Sequence, residues 1–492
     1  MTTNPGSGII KIKGSQRKKV DTLQTIIPPW ERIMKHFGLL SVISVFAIVP
    51  SILYSSTIIV PDDYPKIQEA VNAAVDGDTV LVSPGTYVEN IDFIGKALTV
   101  KSSKGAAVTT IDGGRNGSVV SFSNGEGNGS VLEGFTITNG SGTFSGPYTY
   151  GGGIYCWFST PTITGNIIKG NTVNYHGGGI YCISADSFSI SYNTICNNKS
   201  NNGGGIYCSA GSNPIISFNI IYGNDADLDG GGLYCNFDSN PLLVNNSICS
   251  NTAGYGGGGI YSYGSSPVVI NSILWDNRAP NGSEAHLADW LYPSMLRIAY
   301  SDVEGGMTSI HVQPQCILIW GNGMIDTDPA FVLAGKRDHR LLWGSPCIDT
   351  GHPDLLDGDG TQSDIGCFFF DQGDHLTLYL TPDPITVPQG GELGVTYTLI
   401  NRWEVPETFW LQTTLFFPNG DHITLFGPEE FTFPGEHTGQ VHIEHAIPPR
   451  LPAGDHQYWS ILATQGSAIL DLDMFHFRVK KNPVTHKVPV EW

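Results

Sequence analysis

Between residues 151 and 277 the apolar and polar positions of the chain return in one pattern every 26 or 27 residues. Each unit opens on three glycines followed by an aliphatic residue, a tyrosine and a small residue: Ile154-Tyr155-Cys156, Ile180-Tyr181-Cys182, Ile206-Tyr207-Cys208, Leu233-Tyr234-Cys235 and Ile260-Tyr261-Ser262. A second aliphatic column holds Ile163, Ile190, Ile216, Leu243 and Val269, and five residues further on a third holds Ile168, Ile195, Ile221, Ile248 and Leu274. Alternation of this kind over three or four residues predicts short strands with one face inward. A single unit cannot bury that face alone, so the units must stack as coils, each strand pairing in parallel with its equivalent in the next coil. Two polar columns accompany the aliphatic ones. They are Asn166, Asn193, Asn219, Asn246 and Ser272, and Asn171, Asn198, Asn224, Asn251 and Asn277. Stacked amides can pass hydrogen bonds from coil to coil, so both columns are read as structural ladders.

The flanks supply what a stack of coils needs. Ile58-Ile59-Val60 predicts a strand, and a short helix after Pro65 carries Ile67, Ala70, Val71 and Ala74 on one face, suited to cover an open end. The passage IQEAVNAAVDGDTVLVSPGTYVENI resembles the N-terminal cap and first coil of pectin-lyase-like right-handed parallel β-helix proteins. The repeat, Asn-x-Ile-x-x-Asn leading to Gly-Gly-Gly-Ile-Tyr, is similar to repeats of polymorphic outer-membrane-type and other bacterial surface β-helix proteins. After residue 277 the period decays. Residues 344–372, with Phe368-Phe369-Phe370, resemble the closing element of secreted bacterial β-helix proteins and are expected to cover the last coil. Beyond Gly373 about seven alternating runs follow in about 105 residues, which predicts a small β-sandwich similar to immunoglobulin-like or fibronectin-like modules. The expected architecture is therefore all-β: a right-handed parallel β-helix of about ten coils with an N-terminal helix cap, then a C-terminal sandwich. Its parts are a tail and leader (1–56), a cap and first coil (57–104), the β-helix (105–373), the sandwich (374–480) and a flexible tail (481–492).

Composition agrees with a loop-rich β protein, with 61 glycines and only 14% charged residues. A net charge of −20 argues against nucleic acid, which needs a clustered positive field, and is compatible with a cation or a neutral polymer as partner. Lys35 and His36, behind Met34, precede an apolar run from residue 37 to residue 54 that reads as a secretory leader, with Met34 the expected native start. Uncleaved, the same run is a membrane anchor; either reading puts the chain outside the cytoplasm, secreted or on a bacterial cell surface. Of the nine cysteines, Cys156, Cys182, Cys208 and Cys235 fill one inward column, and Cys347 and Cys367 are the pair expected to bridge if any does.

Alternation turns Tyr155, Tyr181, Tyr207, Tyr234 and Tyr261 away from the interior, which makes them a candidate face for a polysaccharide or cell-surface glycan; mutual stacking is the competing reading. Two acidic turns are candidate Ca²⁺ loops, since carboxylates at alternate positions beside glycine can wrap a hard cation: Asp225, Asp227 and Asp229 before Gly230, and Asp357, Asp359 and Asp364 around Gly358 and Gly360. Solvated or Asx-type turns compete with that reading at both. Catalytic signatures are sparse. A lyase needs a base beside a uronate and a hydrolase needs two carboxylates across one bond, yet between residues 151 and 275 the basic residues are Lys169, Lys199 and His176. Arg278, Glu284, His286 and Asp289 are expected in a solvated insertion. The function expected is thus a non-catalytic binding or adhesion scaffold for glycans, with a polysaccharide lyase or glycoside hydrolase as the alternative.

Overall fold

The computed structural model describes residues 55–481 apart from 290, 374 and 467. The expected leader and the expected C-terminal tail lie outside the described residues, apart from residues 55, 56 and 481. No helix among the described residues is long and apolar enough to cross a membrane.

Parallel strands stack into a solenoid of about ten coils with three walls. Among the described residues, the first wall has nine strands, from Ile91–Asp92 through the glycine-tyrosine strands to Ile310–Val312. The second has eleven, from Thr57–Val60 to Ile317–Trp320, and the third has nine, from Gly85–Val88 to Asp302–Val303. Register is strict: Ile154, Tyr155 and Cys156 pair with Ile180, Tyr181 and Cys182, and so on along the stack. The inward columns, Ile154/Cys156, Ile163 and Ile168 with their equivalents, are fully buried in one continuous core.

The three glycines do two different jobs. The first of each triplet has φ between 60° and 69°, the left-handed region that side chains disfavour. The other two lie against the next coil: a Cβ on Gly153 would stand 2.6 Å from the Gly179 carbonyl oxygen. Both asparagine columns form unbroken ladders. Asn198, for example, donates its amide to the Asn224 Oδ1 at 3.0 Å and its backbone N–H to the same atom at 3.1 Å, while its own Oδ1 accepts from Asn171. Each buried turn is therefore satisfied by its neighbour.

At the N-terminal end the helix α1 (Ile67–Ala73) buries Ile67, Ala70 and Val71 over the first coils. Its free ends are held from elsewhere. The Glu89 carboxylate accepts the backbone N–H of Ile67 and Gln68, and Lys96 Nζ donates to the carbonyls of Val71, Asn72 and Ala74 at 2.8–2.9 Å.

Three expectations are corrected. The stretch after residue 277 is no solvated insertion: Ala285–Ala288 pairs in register with Ile260–Tyr263 and Ile310–Val312 follows it, so the stack runs on. There Glu284 ends the second asparagine ladder, accepting from Asn277 Nδ2 at 2.6 Å and from its N–H at 3.2 Å. Residues 344–372 do not lie over the last coil. They run back along the outside of the solenoid, where Asn245 donates to the Asp364 carbonyl and Asn271 accepts the His352 N–H, leaving Phe368 and Phe369 exposed and Phe370 buried. Cys347 and Cys367 are free buried thiols; Cys347 donates to Asp302 and the Cys367 N–H donates to Ser247 Oγ, which hold the two in separate environments.

The C-terminal part is a sandwich of a three-stranded sheet (Leu376–Asp383, Glu392–Asn401, His437–Ala446) and a five-stranded sheet whose longest members are His422–Phe433 and Ile469–Lys480. Leu378, Val395, Tyr458 and Phe477 fill the space between them. Arg340, on a hairpin formed by Phe331–Leu333 and Asp338–Leu341, ties this module to the solenoid through Asp338 at 2.7 Å, Asp473 at 2.6 Å and the ring of Tyr379 at 4.3 Å.

Candidate functional site

The five tyrosines do line up on the outside of the first wall, but as one stacked column. Successive ring centroids are 5.6, 5.4, 5.0 and 4.8 Å apart with interplanar angles no larger than 18°. His286 and His311 extend the column into the coils that carry no tyrosine. The rings are not free to meet a ligand face on. Tyr181 and Tyr207 are 4% exposed and Tyr261 is 8% exposed; Tyr155 and Tyr234 are half-buried. The reason lies in the segments before each glycine triplet, which fold back over the wall: Tyr150 packs on Tyr181, and His176 lies flat on Tyr207 at 4.3 Å. Burial pushes the Tyr207 hydroxyl up to about 12 against hydrogen bonds from Asn236 and Ser209, and lowers His176 to about 4, so both are neutral at pH 7.

The first acidic turn is occupied by a protein cation. Lys199 Nζ lies 2.6 Å from Asp225 and 2.8 Å from Asp227, while Asp229 turns inward and burial raises it to about 6 against a hydrogen bond from Gly256. In the second turn each carboxylate caps backbone. Asp357 accepts the Asp364 N–H, Asp359 accepts from Thr361 and Gln372, and Asp364 accepts from Asp349 and Phe370. Burial raises Asp364 to about 7 in spite of those bonds; for Asp359 the hydrogen bonds outweigh burial and hold it below the usual carboxylate range. Among the described residues no three His, Cys, Asp or Glu gather as metal ligands do.

A different place brings chemistry together. Between the third wall, the 331–341 hairpin and the first strand of the sandwich lies a cleft of about 560 Å³. Lys169, Cys196 and Tyr222, successive members of one outward column of the third wall, form one side. Lys336, Arg337, His339 and Arg340 come from the hairpin, and Thr381 and Asp383 from the sandwich. Two of the cations are spoken for: Lys336 pairs with Asp383, and Arg340 with Asp338 and Asp473. Lys169 and Arg337 make no ion pair among the described residues. Burial lowers the Lys169 pKa, the nearby Cys196 thiol opposes this and Arg337 adds to it. Lys169, half-buried, and Arg337, exposed, face one cavity without a counter-ion, an arrangement able to accept an anion.

Lys169 is one of few cations in the repeats, and its partners stand about 170 residues later in the chain. The signal was Lys336-Arg337-Asp338-His339-Arg340, five ionisable residues in succession where the chain is otherwise poor in charge.

Residues 94–274 and 152–324 match the family model described as the right-handed beta helix region. No curated protein matches the chain. Similar solved structures include the alkylpurine DNA glycosylase AlkC of Pseudomonas fluorescens bound to DNA (13% identity, 22% of this chain and 31% of that one, TM-score 0.18). They include the sporulation control protein Spo0M of Bacillus subtilis (13% identity, 22% and 50%, TM-score 0.17) and a Niemann-Pick type C2 protein of the Japanese carpenter ant (10% identity, 23% and 99%, TM-score 0.18). The chain spans less than two thirds of the first two, and likeness at this level bears on none of the chemistry.

Proposed function

With its solenoid belonging to the pectin-lyase-like right-handed β-helix proteins, we propose that the chain is an exported, non-catalytic glycan-binding scaffold whose ligand is an acidic polysaccharide held in the cleft between the third wall and the sandwich. One observation carries the reading: Lys169 and Arg337 face that cleft with no ion-pair partner among the described residues. A uronate carboxylate would supply the missing charge, and each charge-assisted contact is worth about 1.5–3 kcal/mol. The net negative charge of the chain repels such a polymer at long range, so recognition would depend on contact rather than on steering, within a Debye length of about 8 Å. Retention of polygalacturonate in an affinity gel tests this. The Lys169→Ala/Arg337→Ala double variant should lose at least tenfold in affinity while its fold is unchanged, and full retention by that variant would refute the proposal.

A catalytic reading of the same cleft draws on Lys169 and Arg337. Burial shifts the Lys169 pKa downward, the direction a general base needs, and Arg337 beside it would neutralise the uronate whose neighbouring proton is removed. Incubation with uronate polymers decides between the two: unsaturated products accumulating with the wild type and not with Lys169→Ala would make the protein a lyase.

A further inference from the structure

The basic cleft has a neighbour. Thr194 and Phe368 line it and also line a second groove of about 580 Å³, so the two adjoin on the third wall. The character of the surface changes along the way. The second groove is walled by Tyr192, Phe218, Leu356 and Phe369, of which Tyr192 is 63% exposed and Leu356 68% exposed, and Asp357 stands at its rim. Tyr192 and Phe218 lie parallel, with centroids 5.1 Å apart and an interplanar angle of 4°.

These rings occupy a demanding backbone position. Tyr192 and Phe218 sit at the bend between the second and third walls with φ of 56° and 55°, where two earlier coils place Gly134 and Gly165. A bulky side chain in the left-handed region costs free energy, and the Tyr192 ring, mostly exposed, recovers little of it by packing within the chain, whereas Phe218 is half-buried. An aromatic face held at the surface beside hydrogen-bonding groups is suited to the apolar face of a sugar ring.

Resting on the glycan reading above, we infer that the cleft and the groove are two subsites for one chain of mixed composition: a uronate at Lys169 and Arg337, and an uncharged sugar against the exposed Tyr192 ring, which Phe218 backs from its other side. Charge sets the order. Among the described residues the groove has no basic side chain, and it carries Asp357, whose carboxylate would repel a second uronate. A polymer of uronates alone satisfies the cleft and is penalised in the groove, and a neutral polymer gains only the groove.

The experiment compares three oligosaccharides of equal length by titration calorimetry with the full chain: a galacturonate oligomer, a glucuronate-bearing xylan oligomer and an unsubstituted xylan oligomer. The mixed oligomer should bind about tenfold more tightly than the galacturonate oligomer, and the neutral one should bind most weakly. Tyr192→Ala, at an exposed position, should fold normally and remove that tenfold preference while leaving galacturonate binding as it was. The Lys169→Ala/Arg337→Ala variant should lose both acidic ligands. If galacturonate binds as tightly as the mixed oligomer, or if Tyr192→Ala keeps the preference, the two-subsite inference is wrong and the cleft reading stands. If neither acidic oligomer binds, the cleft reading fails and takes the inference with it.

Discussion

Replacing Asn224 with alanine isolates what the asparagine ladders contribute. In the native chain Asn224 Oδ1 accepts the Asn198 N–H at 3.1 Å and the Asn198 amide at 3.0 Å, while its Nδ2 donates to the Ile195 carbonyl at 2.9 Å and to Asn251 at 2.9 Å. Asn198, Asn224 and Asn251 are at most 1% exposed, so water does not replace these bonds. Truncation leaves the Asn198 N–H without a partner, at about 1–3 kcal/mol. It also removes one bond each from the Asn198 amide, the Ile195 carbonyl and the Asn251 Oδ1, at about 1 kcal/mol apiece. The expected loss is therefore about 4–6 kcal/mol. Asn224→Ser should cost about half of that, because a hydroxyl can accept the same N–H: Ser272 does so in the other ladder, taking the Asn246 N–H at 3.1 Å. The exposed Thr172→Ala, one position past Asn171 and two coils before Asn224, should stay within about 0.5 kcal/mol of the parent. Urea unfolding followed by far-ultraviolet circular dichroism measures all three, with the m-value checked for constancy. An Asn224→Ala variant within about 1 kcal/mol of wild type, or a serine variant no better than the alanine one, would refute the ladder argument.

Glu284 makes a pH prediction. Burial raises its pKa to about 8 in the fold from the ordinary 4.5, against two bonds from Asn277, so the fold favours the protonated form; its contribution is complete below about pH 4.5 and is lost as pH rises to about 8, at about 1.4 kcal/mol per pH unit. Glu284→Gln should remove that slope, read as the difference between the two proteins' stability–pH curves. Arg340→Ala should cost about 3–5 kcal/mol, because it strands the buried Asp338 carboxylate, and limited proteolysis should then release the sandwich from the solenoid. In the tyrosine column Tyr207→Phe, which loses the bonds from Asn236 and Ser209, should cost about 1–2 kcal/mol; Tyr207→Ala, which opens the stack between Tyr181 and Tyr234, should cost about 3–5 kcal/mol in thermal unfolding.

What could be read in advance was whatever each coil demands of every other coil. An inward Ile168 requires Ile195 and Ile221 beside it, Gly153 lies too close to the next backbone for any side chain, and an amide at position 198 needs another at 224. Repetition of a local need is visible in a string of letters. The repeat becomes illegible at residues 283–288 for the same reason. Glu284 replaces an asparagine and His286 replaces a tyrosine, yet an acceptor for Asn277 and a flat ring beside Tyr261 still stand there. The role persisted while the residue type changed. Alternation also placed the tyrosines away from the interior correctly, but it carries no information about Tyr150 and His176, which cover them from the neighbouring segment.

The candidate site follows the opposite logic. One outward column of the third wall reads Lys169, Cys196, Tyr222, Cys249 and Trp275, with no chemistry in common from coil to coil. A column that is inward, or that holds a ladder, cannot vary in this way without a cost of several kcal/mol. A column whose side chains face outward can, and it therefore accommodates what stacking does not dictate. Part of this column is used to seat other parts of the chain: Cys249 and Trp275 pack with Leu341, Cys347, Phe370 and Ile400. Lys169 stands beyond that contact, at the place where the hairpin delivers Arg337. The sandwich is thus more than an appendage, since its docking through Arg340 is what turns an exposed lysine on a wall into one side of a cleft. Weakening that docking should accordingly abolish acidic-glycan binding in Arg340→Ala even though Lys169 and Arg337 are untouched, and retention of full binding by a chain whose sandwich is released would place the site elsewhere.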